Sequence, residues 1–392
     1  MAPTPVTPLG CNASCERVFQ WMEAACRSPL VLESSACIDV AKEETYICAT
    51  MCSNTSSAFV PLPPVNPFLG LPATSATMHA NAESSDSTYF PGPGSGSVSV
   101  LKNLNIPAAF ALVLMGEDGL LQCVATNIVN ETPYVYLIDP NTLAVLASMK
   151  LLYSRNALAG GIYSFIDRHD RLVLVNAKGY LQRIAHTEIT DGTWKLNVVE
   201  QVNIGYNGVV GLVPDYQGRV WFATGQGTNG TGAVVGFYSP YESVSTVDIS
   251  TFTLPPGEQV ANSISSCPYG VAVVSTSALY LFKAELGQVT QIWRKTYENG
   301  PSRKPGQLSH GSGTTPVFFG PRDGFEYVTI TDNAAPVENI LVYRSLTGEL
   351  TGSTSMGPLI GTEDAPMASG KGTPYIHTYK RTNIGGGFWY YE

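Results

Sequence analysis

The sequence predicts an all-β chain, a β-propeller of six blades or seven behind a small cysteine-stapled helical hairpin. Charged residues make up only 14% of its 392 residues, while 38 Gly, 27 Pro and 20 Tyr mark a turn-rich, strand-rich composition. After residue 100 a coarse repeat of roughly 45–50 residues recurs, each unit a small-residue strand, a turn with Asp or Gly, then alternating strands. Six of the eight cysteines crowd between Cys11 and Cys52.

Residues 1–52 form the cysteine-rich segment. Cys11-x3-Cys15 opens a stretch with Val18, Phe19, Met22 and Ala25 at helical spacing, and Cys48-x3-Cys52 closes a second. Cysteines four apart share a helix face, so two antiparallel helices can be cross-stapled, Cys11 to Cys52 and Cys15 to Cys48, leaving Cys26 for Cys37. Such density reads as a disulfide framework of an oxidising compartment. A zinc site fits less well, because no His lies among these cysteines and the spacing is not that of zinc ribbons. The start, Met-Ala-Pro-Thr-Pro, lacks a signal peptide, so the expectation is a mature secreted or secretory-lumen form. Sequons at Asn12, Asn54, Asn130 and Asn229 agree with glycosylation there.

Residues 53–99 are rich in Pro, Ser and Gly and are expected to run, irregular or extended, along the main domain. Residues 100–392 form the propeller. In DYQGRVWFAT a turn at Asp215 to Gly218 precedes Val220, Phe222 and Thr224, which alternate with Trp221 and Ala223; both faces are apolar, as in a strand packed between blades. Five units are clear, and a ragged last one would take strands from the N-terminal side to shut the ring.

The net charge of −9 and the lack of a Lys/Arg cluster oppose nucleic-acid binding. No apolar run approaches the ~20 residues that span a bilayer. Gly-x-Ser-x-Gly, His-Glu-x-x-His, phosphate-loop and dinucleotide motifs are all absent. Cys123 and Cys267, in separate blades, read as small buried hydrophobes.

Chemistry is then sought at the ends of inner strands. The loop from Ser309 to Pro316 joins glycines, which let backbone approach a ligand, with His310, Ser312 and Thr314; a turn with a solvent-facing His is the alternative. Met78 to Asp86, containing His79 and Asn81, is dense in polar groups and expected to run over or into the propeller mouth. Glu258 with Asn262, Asp332 with Asn333, and Glu363 with Asp364 fall at early points of successive blades and are candidates to converge on the channel. Convergent carboxylates and amides can also hold Ca²⁺, which opens the alternative of a calcium-dependent lactonase. Tyr163, Tyr206 and Asn207 are candidates for the rim.

The strings EQVANSIS, STSALYLFKAE, IWRKTYENGPSRKPGQLSHGSGTTP and TITDNAAPVENILVYR, between Glu258 and Arg344, resemble secreted bacterial and fungal propeller proteins with quinoprotein-like blades. The resemblance covers most of residues 76–392. With the cysteine-rich N-terminal segment, the chain is similar to the fungal hetero-Diels–Alderases of tropolone-sesquiterpenoid biosynthesis. That resemblance implies an enzyme of secondary metabolism that joins a tropolone o-quinone methide to a humulene-type terpene, two small apolar partners, with no cofactor. His310, helped by Glu258 or Asp364, would assist loss of water, and His79, Asn81, Tyr163, Tyr206, Asn207, Asn262, Ser312, Thr314, Asp332 and Glu363 would line the pocket. A ligand- or glycan-binding propeller without catalysis is the remaining alternative.

Overall fold

The computed structural model describes residues 65–70, 75–86, 102–152, 163–240, 248–303, 310–320 and 323–356, and the backbone of short strands between 360 and 391. The six clustered cysteines, Asn12, Asn54, Glu363 and Asp364 lie outside the described residues.

Five four-stranded antiparallel sheets follow one another along the chain, each a simple up-and-down meander. Blade 1 is β1 (Ala108–Met115), β2 (Leu121–Asn127), β3 (Thr132–Ile138) and β4 (Val145–Lys150); blade 2 is β5 (Phe165–Ile166), β6 (Leu172–Val175), β7 (Tyr180–Thr190) and β8 (Thr193–Asn203). Blade 3 is β9 (Val209–Pro214), β10 (Val220–Thr224), β11 (Val234–Ser239) and β12 (Asp248–Thr253). Blade 4 is β13 (Ser265–Cys267), β14 (Gly270–Val274), β15 (Ala278–Glu285) and β16 (Gln288–Thr296); blade 5 is β17 (Val317–Phe319), β18 (Tyr327–Thr331), β19 (Asn339–Arg344) and β20 (Leu350–Ser355). First strands contact first strands of neighbours, β1 with β5, β9 with β13 and β13 with β17, and fourth strands contact fourth, β4 with β8 and β12 with β16. Sheets stacked in this radial order are a β-propeller. Among the described residues there is no helix.

The burial pattern explains the arrangement. Middle strands such as β6 and β10 are buried along their whole length, because blades cover both faces, whereas outer strands such as β20 are largely exposed. One core spans blades 1 to 4 and includes Trp221, Phe222, Phe237, Tyr280 and Phe282; a second, with Phe318, Phe325 and Ile330, joins blades 4 and 5. Cys123 and Cys267 are free, buried thiols, and burial pushes the Cys123 thiol up to about 12, so neither is a ready thiolate.

The axis of the ring is occupied by the chain itself. Leu69 bridges Asp167, Ser75 bridges Met115 and Thr77 bridges Phe165. Asn66 donates through Nδ2 to the Pro214 carbonyl of blade 3 (3.0 Å). Ser266 N–H of blade 4 donates to Ala82 O (2.7 Å), and Phe318 N–H of blade 5 donates to Glu83 O (3.0 Å). Residues 66–70 and 75–86 between them therefore touch the first hairpin of every one of the five blades, and Asn66, Ala82, Glu83 and Ser85 are fully buried. Blades alone would leave unpaired edges at the channel, and this segment supplies partners to them.

Candidate functional site

In each blade the strands alternate in direction, so the connections from a fourth strand to the next blade's first strand all open on one face. Tyr163, Tyr206, Asn207, Glu258, Asn262 and the loop 310–316 belong to such connections, and this common placement gathers residues far apart in sequence.

Three sets of hydrogen bonds, joined through the backbone of the 312–315 loop, lie where segment 75–86 meets that face. Tyr163 donates its hydroxyl to Asn262 Oδ1 (3.0 Å), and Asn262 Nδ2 donates to the Gly313 carbonyl. Ser312 and Thr314 share a hydroxyl–hydroxyl bond of 2.7 Å, and Thr314 Oγ1 accepts from Thr331 N–H. Next along the loop, Thr315 Oγ1 lies 3.1 Å from His79 Nε2, a contact spanning 236 positions, and His79 Nδ1 lies 3.0 Å from Asp86 Oδ1. The carboxylate can only accept, so Nδ1 carries a proton, and in the neutral ring Nε2 presents its lone pair to the threonine hydroxyl. Asp86 thus fixes His79 in the tautomer a general base needs.

The local backbone is built for this geometry. Ala80, Ser84 and Asp86 all hold positive φ, at 69°, 57° and 52°, a conformation that non-glycine residues adopt at a cost and that clusters at functional sites. Gly311 has φ 95°, and a side chain there would meet the Thr276 backbone at 2.8 Å. Asn81 closes the segment on itself, donating through Nδ2 to Ser85 Oγ (2.7 Å) and accepting from Ser85 N–H (2.9 Å).

The other nominated residues stand apart from the array. His310 is exposed and its Nε2 lies 3.1 Å from the Gly300 carbonyl. Glu258 is buried and bonded: Oε1 accepts from Arg294 Nη2, and Oε2 accepts from Ser275 Oγ and from Tyr280 Oη (2.7 Å). Burial first, then the hydrogen bond to Glu258, pushes the Tyr280 phenol up. Asp332 caps its own turn, its Oδ1 accepting the Ala334 and Asn339 N–H groups and its Oδ2 accepting from Asn339 Nδ2. Asn333 donates to the Asn299 and Ser302 carbonyls. Tyr206 sits against Phe222 with ring centroids 5.8 Å apart and its hydroxyl 3.5 Å from Thr251 Oγ1, while Asn207 is exposed.

Two features escaped the sequence reading. On the opposite face, Asp-x3-Arg recurs at 167–171 and 215–219, in the first hairpins of blades 2 and 3. Each Asp accepts the N–H groups two and four residues on, and each pairs with its Arg. Burial pushes the Asp167 carboxyl up, but the bonds from Arg171 and the charges of Arg183 and Arg171 outweigh it and hold it below its ordinary value. For Asp215, bonded to Trp221 Nε1 (2.9 Å), burial wins and the carboxyl lies above its ordinary value. The repeated spacing itself was the available signal. The second feature is Glu83, wholly buried on the axis with neither carboxyl oxygen hydrogen-bonded among the described residues. Burial pushes its carboxyl well above the ordinary value, against its own backbone N–H.

No protein-family profile matches the sequence, and no curated protein matches it. Among solved structures, the chain is similar to the Dos1 propeller at 14% identity and a TM-score of 0.41, over 64% of this chain and 61% of that one. It is similar to the Myceliophteria thermophila Cps50 (Swd1) β-propeller domain at 9% identity and 0.36, over 68% and 92%. A prolyl endopeptidase matches at 13% and 0.43, over 74% and 40%. These are distant likenesses, and the propeller rests on the strand pairing itself.

Proposed function

We propose that the protein is a small-molecule enzyme of the hetero-Diels–Alderase type, acting at the face where His79, Tyr163, Asn262 and the 312–315 hydroxyls meet. The observation that supports this reading is the His79 geometry: a base tautomer fixed by Asp86 and pointed, through Nε2, at a hydroxyl across the ring. The resemblance to fungal propellers of tropolone-sesquiterpenoid biosynthesis supplies the substrate class. In this reading the propeller has six blades, the strands after residue 356 forming the last, and the protein works in the secretory pathway with its N-terminal cysteines paired and its sequons glycosylated.

The chemistry needs no cofactor. His79 Nε2 takes the tropolone hydroxyl proton and passes it to the hydroxyl of the adjacent hydroxymethyl arm, which leaves as water, so the substrate loses one water and becomes the o-quinone methide. The terpene double bond then adds across the methide's terminal carbon and its carbonyl oxygen, forming one C–C and one C–O bond with no other reagent. Ser312 and Thr314 share one bond between two hydroxyls, so one O–H is left to donate to the tropolone oxygens as charge gathers there, and His310 lines the rim.

The test is the rate of adduct formation from a hydroxymethyl tropolone and a humulene-type alkene. His79→Ala is expected to lower it at least tenfold, about 1.4 kcal/mol of barrier, while Asn207→Ala leaves it unchanged. A wild-type protein that gives no acceleration over buffer overturns the reading.

A further inference from the structure

A second cluster lies on the opposite face, at the seam between blades 1 and 2. Asp118 stands in the β1–β2 turn, Asp170 in the β5–β6 turn and His186 on β7. His186 Nε2 is 2.8 Å from Asp118 Oδ2 and 3.6 Å from Asp170 Oδ2, and one ligand atom from each of the three lies within 4.8 Å of the others.

Each carboxylate is held by one oxygen and offers the other. Asp118 Oδ1 accepts the Leu120 N–H (2.9 Å); Asp170 Oδ1 accepts from Glu117 N–H (3.2 Å) and Gln122 Nε2 (3.1 Å). Both Oδ2 atoms are left turned toward the imidazole. The His186 side chain is only 6% exposed, and its Nδ1 has no hydrogen-bond partner among the described residues. The ring's polar engagement therefore runs through Nε2 into the gap, where one N–H cannot serve two carboxylates. Gly116 is required for the approach, since a Cβ there would come within 2.4 Å of Asp170 Oδ1.

We propose that Asp118, Asp170 and His186 bind a divalent first-row metal ion of the Zn²⁺, Mn²⁺ or Co²⁺ class, which staples blade 1 to blade 2. Nitrogen and carboxylate ligands bind such ions at about 2.0–2.2 Å, which puts neighbouring ligand atoms roughly 3–3.5 Å apart, and the 2.8 and 3.6 Å separations bracket that spacing. An imidazole ligand selects against Ca²⁺ and Mg²⁺, which favour all-oxygen shells. Three protein ligands leave further positions for water, and the 33% and 18% exposure of the Asp118 and Asp170 side chains provides an entry path. The site is independent of the proposed cycloaddition.

The experiment is Co²⁺ titration of the chelator-treated full chain with its thiols blocked, followed by the visible absorption of protein-bound cobalt and by metal analysis after dialysis. One Co²⁺ per chain is expected, displaced by one Zn²⁺, with affinity falling at least tenfold in His186→Ala and in Asp118→Asn. Asp118→Asn removes an exposed charge and keeps the fold, so its loss of binding is not a folding failure. Zn²⁺ should also raise the unfolding midpoint of the wild type and leave that of Asp118→Asn in place. Failure of the wild type to bind either ion, or equal binding by wild type and Asp118→Asn, reduces the cluster to an ion pair and overturns the proposal.

Discussion

Glu83→Gln isolates the energetic consequence of a carboxyl buried on the propeller axis. Burial raises the Glu83 carboxyl well above its ordinary value, so the folded chain keeps this proton at pH values where the unfolded chain, titrating near ~4.3, has lost it. Stability then falls as pH rises, because the unfolded state binds fewer protons than the folded one. Glu83 contributes its full stability below about pH 4 and loses it progressively as pH climbs through the raised folded value, at ~1.4 kcal/mol per pH unit inside that window. Glutamine has the same shape and does not titrate. Its amide also brings donors that want acceptors, a cost of ~1–3 kcal/mol that is the same at every pH, so the diagnostic is how the difference between variant and wild type changes with pH. Denaturant unfolding at pH 4 to 8 should show the variant gaining on the wild type, at up to ~1.4 kcal/mol per pH unit inside the window. Other titrating groups cancel in this difference: the Cys267 thiol, which interacts with Glu83, is itself pushed up by burial and stays neutral throughout. A difference that stays flat from pH 4 to 8 would show that Glu83 is ionised and compensated in solution, and would refute the neutral-carboxyl account.

Arg294→Met should destabilise the chain by ~2–3 kcal/mol, less than for a wholly buried pair because the Arg294 side chain is 30% exposed, and the Arg294→Met, Glu258→Gln double variant should recover part of that loss in denaturant unfolding. Thiol titration of the unfolded, unreduced protein should find about two thiols, those of Cys123 and Cys267, and six or more would dissolve the predicted N-terminal staples.

The blades were legible because their signal is repeated and local. A turn followed by a short run apolar on both faces, as at 211–224 and 269–284, leaves little choice but a strand between two others, and β10 and β14 form there with almost every residue buried. The gathering of Tyr163, Asn262 and the Ser312–Thr314 loop was accessible for a related reason: once blades are counted, residues just ahead of a first strand share a face. Long-range partnerships were not legible. Glu258 reads as a channel carboxylate by its place before β13, yet Arg294, 36 residues on, reaches back to it, and nothing local distinguishes a carboxylate that will find such a partner from one that will not.

Glu83 shows the converse limit. Among Asn81, Ser84, Ser85 and Asp86 it reads as one more solvated polar residue, since an ionisable group is rarely buried without a partner. What buries it is the pairing of its backbone with blade 5 and of Ala82 with blade 4, a demand made by the unpaired first strands of the ring. The side chain is carried inward by its neighbours' hydrogen bonds and not by its own preference. The same demand sets His79: the turns that bring segment 75–86 against β5, β13 and β17, with three left-handed residues, aim its ring between Asp86 and Thr315. The strand edges that require a plug are thus also what assembles the base of the proposed site, so overpacking the plug at the fully buried Ala82, by Ala82→Leu for example, which removes no array side chain, should lower the unfolding midpoint and the rate of adduct formation together, and a variant that loses stability alone would separate plug from site.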